Sequence, residues 1–286
     1  MIKKNPLVSI LIINYNNTNF LERSINSCLN QSYKNIEILV YDDKSTETII
    51  KIEKKFKKTK TVKFYKNRNT KINIPALDAS NSYRSLFNKS KGQIICLLDS
   101  DDFFRTSKVK KIIKIFTLDK KISFIQNLNT NDINVKNSTI SFWPYFAPES
   151  CISFKRSFFI KFQKDTDKLK FKFTKVWLGF RLAVYSYYKD KSFYHLNEKL
   201  TFYENFGQSI KYKKFNNLWW QRRKDSFMYT HIITKKLIFL VNFDYLISSR
   251  FFSFRILAMP LNLCYLPYQA YSDPNLDLRP KFQIEF

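Results

Sequence analysis

Ile94-Ile95-Cys96-Leu97-Leu98-Asp99-Ser100-Asp101-Asp102 is the stretch that decides how the rest of the chain is read. A short apolar run, of strand length, ends in three carboxylates within four positions. Acids spaced this closely repel one another unless a cation or a donor-rich ligand sits among them. The rest of the chain is basic, with 50 Lys and Arg against 23 Asp and Glu, so average composition does not account for the cluster. One Asp would suffice to cap the helix that follows, and Asp102 or Ser107 suits that place. Three favour a divalent metal and, through it, the phosphates of a nucleotide.

Upstream, Leu7-Val8-Ser9-Ile10-Leu11-Ile12-Ile13 reads as a strand buried on both faces and ends in the polar turn Asn14-Tyr15-Asn16-Asn17. Asn19 and Glu22 have capping-box spacing, and Phe20, Leu21, Ile25, Cys28 and Leu29 follow at helical spacing. Ile36 to Tyr41 is a second strand, ending at Asp42-Asp43. This βαβ pattern predicts parallel strands with a right-handed crossover. It repeats with a strand at Val62 to Tyr65, a helix around Ser82 to Ser90, the acid-bearing strand, a helix with Val109, Ile112, Ile113 and Phe116 on one face, and a strand from Ile122 to Gln126.

Alternation of this kind predicts an α/β domain with a largely parallel sheet, which binds ligands beyond the carboxyl ends of its strands. Tyr15, Asp43 and Asp99 to Asp102 all stand at such ends. Asp42-Asp43 also suits a plain polar turn, and Tyr15 a core aromatic.

Further along, Asn127 to Ser150 reads as a long loop containing Trp143, Cys151 to Phe154 as a strand, and Val176 to Tyr188 as a helix. Two short strands are predicted at Phe193 to Leu196 and Leu200 to Tyr203. From about Phe215 the chain reads as aromatic, basic helices and closes in a tail punctuated by Pro260, Pro267, Pro274 and Pro280.

The net charge of +27 suits an anionic partner such as nucleic acid, an anionic membrane leaflet or a phosphorylated substrate. It equally suits the Lys- and Asn-rich vocabulary of an AT-rich genome. No cluster looks like a reader of bases, and nucleic acid is not expected. Cys28, Cys96, Cys151 and Cys264 lie far apart and read as reduced core thiols, not a zinc site or a disulfide frame. The start, Met1 to Pro6, has no signal-peptide character, and the most apolar later segment, Leu237 to Leu246, is broken by Asn242 and Asp244. The expectation is a cytoplasmic protein, peripheral at most to the inner face of a membrane. Trp219 and Trp220, followed by Arg222, Arg223 and Lys224, suit either a membrane interface or packing on the sheet domain. Trp177 reads as core, and His195 and His231 read as structural.

Val8-Ser9-Ile10-Leu11-Ile12-Ile13-Asn14-Tyr15-Asn16, Tyr41-Asp42-Asp43-Lys44-Ser45-Thr46 and Lys91 to Asp102 together resemble the inverting family 2 glycosyltransferases of the GT-A fold. The match is specific over roughly residues 6 to 120 and weaker to about 210. It implies a GT-A domain over 1–210, with a donor half at about 6–120 and an acceptor half at about 121–210, then a helical extension over 211–286. It also implies a nucleotide-sugar donor, most naturally a UDP-sugar, a glycan or lipid-linked acceptor, and Mg or Mn as cofactor. The donor would lie among Tyr15, Asn16, Asp43, Arg84, Asp99 and Ser100. Tyr15 would flank the base and Asp43 would accept its ring N–H. Asp101 would ligate the metal, supported by Asp99 and Asp102.

Inversion requires a carboxylate to take the acceptor's proton. The family keeps this acid just before or within the helix corresponding to Lys175 to Tyr188, and the window Thr174 to Arg181 contains none. Gly179 within it is costly, about 1 kcal/mol against Ala. Glu149, Asp165 and Asp167 are the nearest candidates, the last two equally readable as a solvated turn. The missing acid leaves room for a non-catalytic nucleotide-sugar binder. A nucleotidyltransferase is disfavoured because the loop Asn14 to Asn19 lacks Gly.

Overall fold

The computed structural model describes residues 5–46, 48–68, 70–131, 147–204 and 217–234. Trp143, Cys264, the segment Leu237 to Leu246 and the proline-punctuated tail lie outside them, as do the side chains of Trp219 and Trp220.

The β-branched runs form the strands that the alternation predicts. These are β1 (Val8–Asn14), β2 (Ile36–Asp42), β3 (Val62–Lys66) and β4 (Ile94–Asp99), parallel to one another in the order β3-β2-β1-β4. Beyond β4 the eight-stranded sheet becomes mixed. β7 (Ile152–Lys155) runs antiparallel to both β4 and β6 (Phe124–Asn129). β8 (Phe193–Phe202) runs parallel to β6, and the two-residue β5 (Phe103–Phe104) pairs antiparallel with β8.

Alternate residues of each strand feed two separate cores, as the two-residue pleat requires. Val8, Ile10 and Ile12 meet α1 (Thr18–Leu29), α2 (Ile50–Phe56) and α4 (Lys108–Leu118) on one face. Leu11, Leu39 and Leu97 meet α3 (Pro75–Lys89), α5 (Arg156–Thr166), α6 (Leu178–Val184) and α7 (Asn217–Thr234) on the other. The parallel half of the sheet is thus buried on both sides. The helical segment expected after residue 215 is represented by α7, whose Tyr229 is buried in the second core.

Four local expectations need correction. The Asn19–Glu22 capping box does not form: α1 begins at Thr18, with Asn17 as N-cap and no side-chain cap bond. The helix expected from Ser82 begins a full two turns earlier, because Pro75 is well placed at a first helical position. α2 and α5, not expected from the sequence, are carried by Ile52 with Phe56 and by Phe158, Phe159 and Phe162. The two short strands near residue 200 are one strand, β8. Its polar centre Asn197-Glu198-Lys199 coincides with register shifts against β6 at Leu128, so the interruption in apolar pattern marks an irregularity and not an end.

Candidate active site

The register of β1 with its neighbours sets the site. Asn14 pairs with Asp42, and Ile13 pairs with Asp99. Beyond these pairs, the amide of Asp43 donates to the Asn14 carbonyl at 2.8 Å, and the amide of Ser100 donates to the Ile13 carbonyl at 3.0 Å. Tyr15, Asp43 and the acid cluster therefore leave three neighbouring strands side by side at one carboxyl edge.

The two aspartates at the end of β2 have different work. Asp42 accepts from Asn14 Nδ2 at 2.9 Å and from Ser45 Oγ at 2.6 Å, which pins the polar turn. Asp43 accepts from Asn67 Nδ2 at 2.6 Å and pairs with Lys71 Nζ at 3.2 Å. Burial raises its carboxyl above the ordinary range, while Asn67 and Lys71 pull it back. Lys71 Nζ also lies 3.1 Å from the centre of the Tyr15 ring. Asn16, with φ 57°, uses its side-chain carbonyl to accept from the Thr46 amide at 2.8 Å, so it braces one strand-end loop against the next.

In the acid turn each carboxylate is held differently. Tyr83, on α3, donates its hydroxyl to Asp99 Oδ1 at 2.7 Å. Asp101 is buried, and its carbonyl receives Arg23 Nη2 at 2.8 Å. Arg23 also pairs with Glu204 at 2.9 Å and lies 4.3 Å from the centre of the Phe103 ring, fastening α1 to the far strands. Asp102 Oδ1 accepts the Glu204 amide at 3.1 Å, while its Oδ2 is buried without a hydrogen-bond partner among the described residues. Ser100 is fully covered, and its carbonyl accepts from Ser24 Oγ at 2.7 Å.

Burial and then the charges of Glu149, Asp102 and Asp101 drive the Asp99 carboxyl well up. Burial and Asp101 push Asp102 up to about 7. Such a cluster invites a cation, and the orphaned Asp102 oxygen fits one. Among the described residues no group of three or more carboxylate, imidazole or thiol side chains is arranged to hold a metal alone. Any cation held at this turn would need phosphate and water oxygens to complete its shell, as is usual for Mg²⁺.

Of the three base candidates, Glu149 is the one that reaches this cluster. It opens the short 3₁₀ turn Glu149–Cys151 and is partly exposed. The next residue, Ser150, accepts the Asp99 amide on its Oγ at 3.0 Å, and its carbonyl receives the fully buried Lys108 Nζ at 2.5 Å. Glu149 Oε1 accepts the Gly179 amide at 2.8 Å. A Cβ on Gly179 would stand 3.1 Å from that oxygen and 2.8 Å from Ile152 Cδ1. The glycine that looked misplaced in a helix therefore makes room for a carboxylate arriving from another element. Burial raises the Glu149 carboxyl, and the Gly179 amide partly offsets this.

Asp165 is exposed, accepts the Tyr185 hydroxyl at 2.7 Å and pairs with Lys189 at 3.2 Å. These partners lie six to ten residues beyond Gly179, about 9–15 Å along the helix axis. Asp167 lies exposed in a 3₁₀ turn. Both behave as the solvated turn, and neither is brought to the acid cluster.

Arg84 also departs from expectation. One helix position beyond Tyr83, its guanidinium lies 5.9 Å and 5.8 Å from the rings of Phe159 and Phe162. Burial and the charge of Arg181 lower its pKa. Arg181 in turn donates to the carbonyls of Leu169, Lys172, Phe173 and Val176, fastening the loop before α6. Tyr83, Lys71, Arg23, Lys108 and Ser150 were not singled out from the sequence. Only Tyr83 carried a signal, as an aromatic residue on the helix stripe one place before Arg84.

A model of the family described as "Glycosyl transferase family 2" matches residues 9–188. The chain belongs to this family. Among curated family 2 relatives, the hyaluronan synthase of Pasteurella multocida is 33% identical over 152 residues, covering 52% of this chain and 15% of that protein. The chain thus spans a small part of the curated relatives it matches first.

Among solved structures, S. aureus TarS 1–349 in complex with UDP-GlcNAc superposes with a TM-score of 0.58 at 13% identity, covering 86% of this chain and 73% of the other. The mannosyltransferase PcManGT of Pyrobaculum calidifontis, in complex with GDP-Man and Mn²⁺, gives 0.55 at 13% identity, covering 94% and 79%. At such identities the superpositions establish the shared glycosyltransferase fold. Among the described residues of this family 2 member, no helix is long and apolar enough to cross a membrane.

Proposed function

We propose that this chain transfers a sugar, with inversion, from a UDP-sugar to a glycan or lipid-linked acceptor, in the building of a polysaccharide. The observation that carries the reading is the alignment of Tyr15, Asp43 and the acid turn at the ends of three adjacent strands. Asp43 and the acid turn are two strand spacings apart, about 10 Å, a separation suited to a nucleoside diphosphate lying across the sheet edge. Tyr15 would stack on the base, and Asp43 would accept its ring N–H. Asp101, with Asp99 and Asp102, would hold Mg²⁺ or Mn²⁺, which when bound neutralises charge on the departing diphosphate. A relative carrying UDP-GlcNAc and one carrying GDP-Man and Mn²⁺ support a nucleotide-sugar donor.

Glu149 is the proposed base. It lies beside the acid cluster, and its raised carboxyl affinity for protons suits it to accept one from a hydroxyl. Tyr83 holds Asp99, and Lys108 fastens the turn that presents Glu149. The excess positive charge suits an anionic leaflet or a pyrophosphate-linked acceptor.

Thermal unfolding with UDP, with and without Mn²⁺, tests the donor site. At a hundred times its dissociation constant UDP stabilises by about 2.7 kcal/mol. The expected result is a metal-dependent rise that Asp101→Ala abolishes. A rise indifferent to both metal and Asp101 overturns the assignment. UDP binding without transfer of any sugar would instead favour a nucleotide-sugar binder.

A further inference from the structure

The two side chains assigned to the donor's base are already engaged by the protein itself. Lys71 Nζ stands 3.1 Å from the centre of the Tyr15 ring and 3.2 Å from Asp43 Oδ2. Asp43 Oδ1 is taken by Asn67 at 2.6 Å. The Lys71 side chain is only 15% exposed although it belongs to a surface connection between β3 and α3. An ammonium over an aromatic face and against a carboxylate imitates what a flat heterocycle bearing an N–H would offer the same pair, one stacking partner and one donor.

We infer that Lys71 keeps the place of the base in the free protein and must leave it for the nucleotide to enter. The inference rests on the nucleotide-donor reading and adds to it a self-occupied state of the same pocket. A base stacked on this face of Tyr15 and bonded to Asp43 Oδ2 would require the volume that the ammonium holds. The connection carrying Lys71 is anchored on either side of it, by the Asn67 amide to the Asp42 carbonyl at 2.9 Å and by the Ile72 amide to Asp78 Oδ1 at 3.0 Å. Rotation of the four-carbon stem is a sufficient route for its departure. The internal contact competes with ligand, so measured affinity is lower than the pocket's intrinsic affinity by the fraction of molecules in which Lys71 is out.

Calorimetric titration of UDP and of uridine, each with Mn²⁺, into the wild type, Lys71→Ala and Lys71→Ser tests this. Loss of a cation–π contact and its ion pair should tighten binding about three- to twentyfold. The factor should be the same for uridine as for UDP, because the contact concerns the base alone. Weaker UDP binding with uridine unchanged would make Lys71 a phosphate contact, and weaker binding of both would make it a direct contact to the base. Unchanged affinity would make its position incidental. Each of these overturns the inference while leaving the donor site standing. A wild type that binds no nucleoside diphosphate removes the donor reading and this inference together.

Discussion

Replacing Glu149 by glutamine keeps the shape of the side chain and its acceptor for the Gly179 amide, now 2.8 Å from Oε1, and removes its charge and its capacity to take a proton. If Glu149 is the base, kcat falls about 10²–10⁴-fold, the usual worth of a positioned general base. Uridine binding is unaffected, because the proposed base contacts, Tyr15 and Asp43, lie on other strand ends. Stability moves the other way. Glu149 is among the charges that drive the Asp99 carboxyl up, so glutamine relieves a repulsion that the free protein carries. Relief of this kind at a functional site stabilises by about 0.5–2 kcal/mol, with Tm rising about 2–4 °C per kcal/mol in chains of this size.

The paired readouts are UDP release from a set of UDP-sugars with glycan acceptors, and a thermal melt of the same preparation. A simple capping role for α6 would leave turnover intact and move Tm little. A Glu149→Gln protein that turns over at the wild-type rate refutes the assignment. One that loses both activity and stability shows that the side chain is chiefly structural.

Gly92→Ala should cost about 2–3 kcal/mol, since its new Cβ would sit 2.4 Å from Ser9 Oγ, 2.5 Å from the Ser9 amide nitrogen and 2.9 Å from the Leu7 carbonyl. The backbone there is pinned between β2 and β4, so a melt should fall by about 4–12 °C, and an unchanged Tm would contradict the described packing. Burial lowers the His195 imidazole to about 4, so the unfolded chain binds its proton from about pH 6.5 downward while the native state resists. Its contribution is fully present above pH 6.5 and is lost as pH falls toward 4, about 3 kcal/mol in all. Urea denaturation of His195→Gln at pH 7 and pH 4.5 should show a correspondingly smaller drop than the wild type, and an equal drop would rule His195 out as the cause.

The parallel half of the fold is legible because each element repeats one pattern: a β-branched run, a polar strand end, an amphipathic helix. Ile10, Ile38 and Cys96 report on their own burial, and the chain turns at Asn14, Asp42 and Asp99 as their polarity demands. The far half resists the same reading. β7 pairs with β4 across more than fifty residues of sequence, at Ser153 and Cys96, and β8 passes through a bulge where its apolar pattern lapses. That Tyr15, Asp43 and the acid turn share one sheet edge was readable from strand ends alone. Glu149 was one of three candidate acids, and its contact with the Gly179 amide was not legible, because a carboxylate that crosses from one element to another leaves no trace in local spacing. Lys71 and Lys108 looked like any of the chain's many lysines. Only tertiary contact separates an ammonium laid on Tyr15 from one dissolved in water.

Lys108 has a consequence for how such a protein can be cut and joined. It belongs to α4, yet the hydrogen-bond acceptors of its ammonium, the Ser150 carbonyl and Thr201 Oγ1, both come from beyond residue 121. Separating the chain near residue 120, to graft its parallel-sheet portion onto a different second portion, would strand a charge inside a hydrocarbon interior. A functional chimera would have to bring its own pair of oxygens to that ammonium, or give up the lysine.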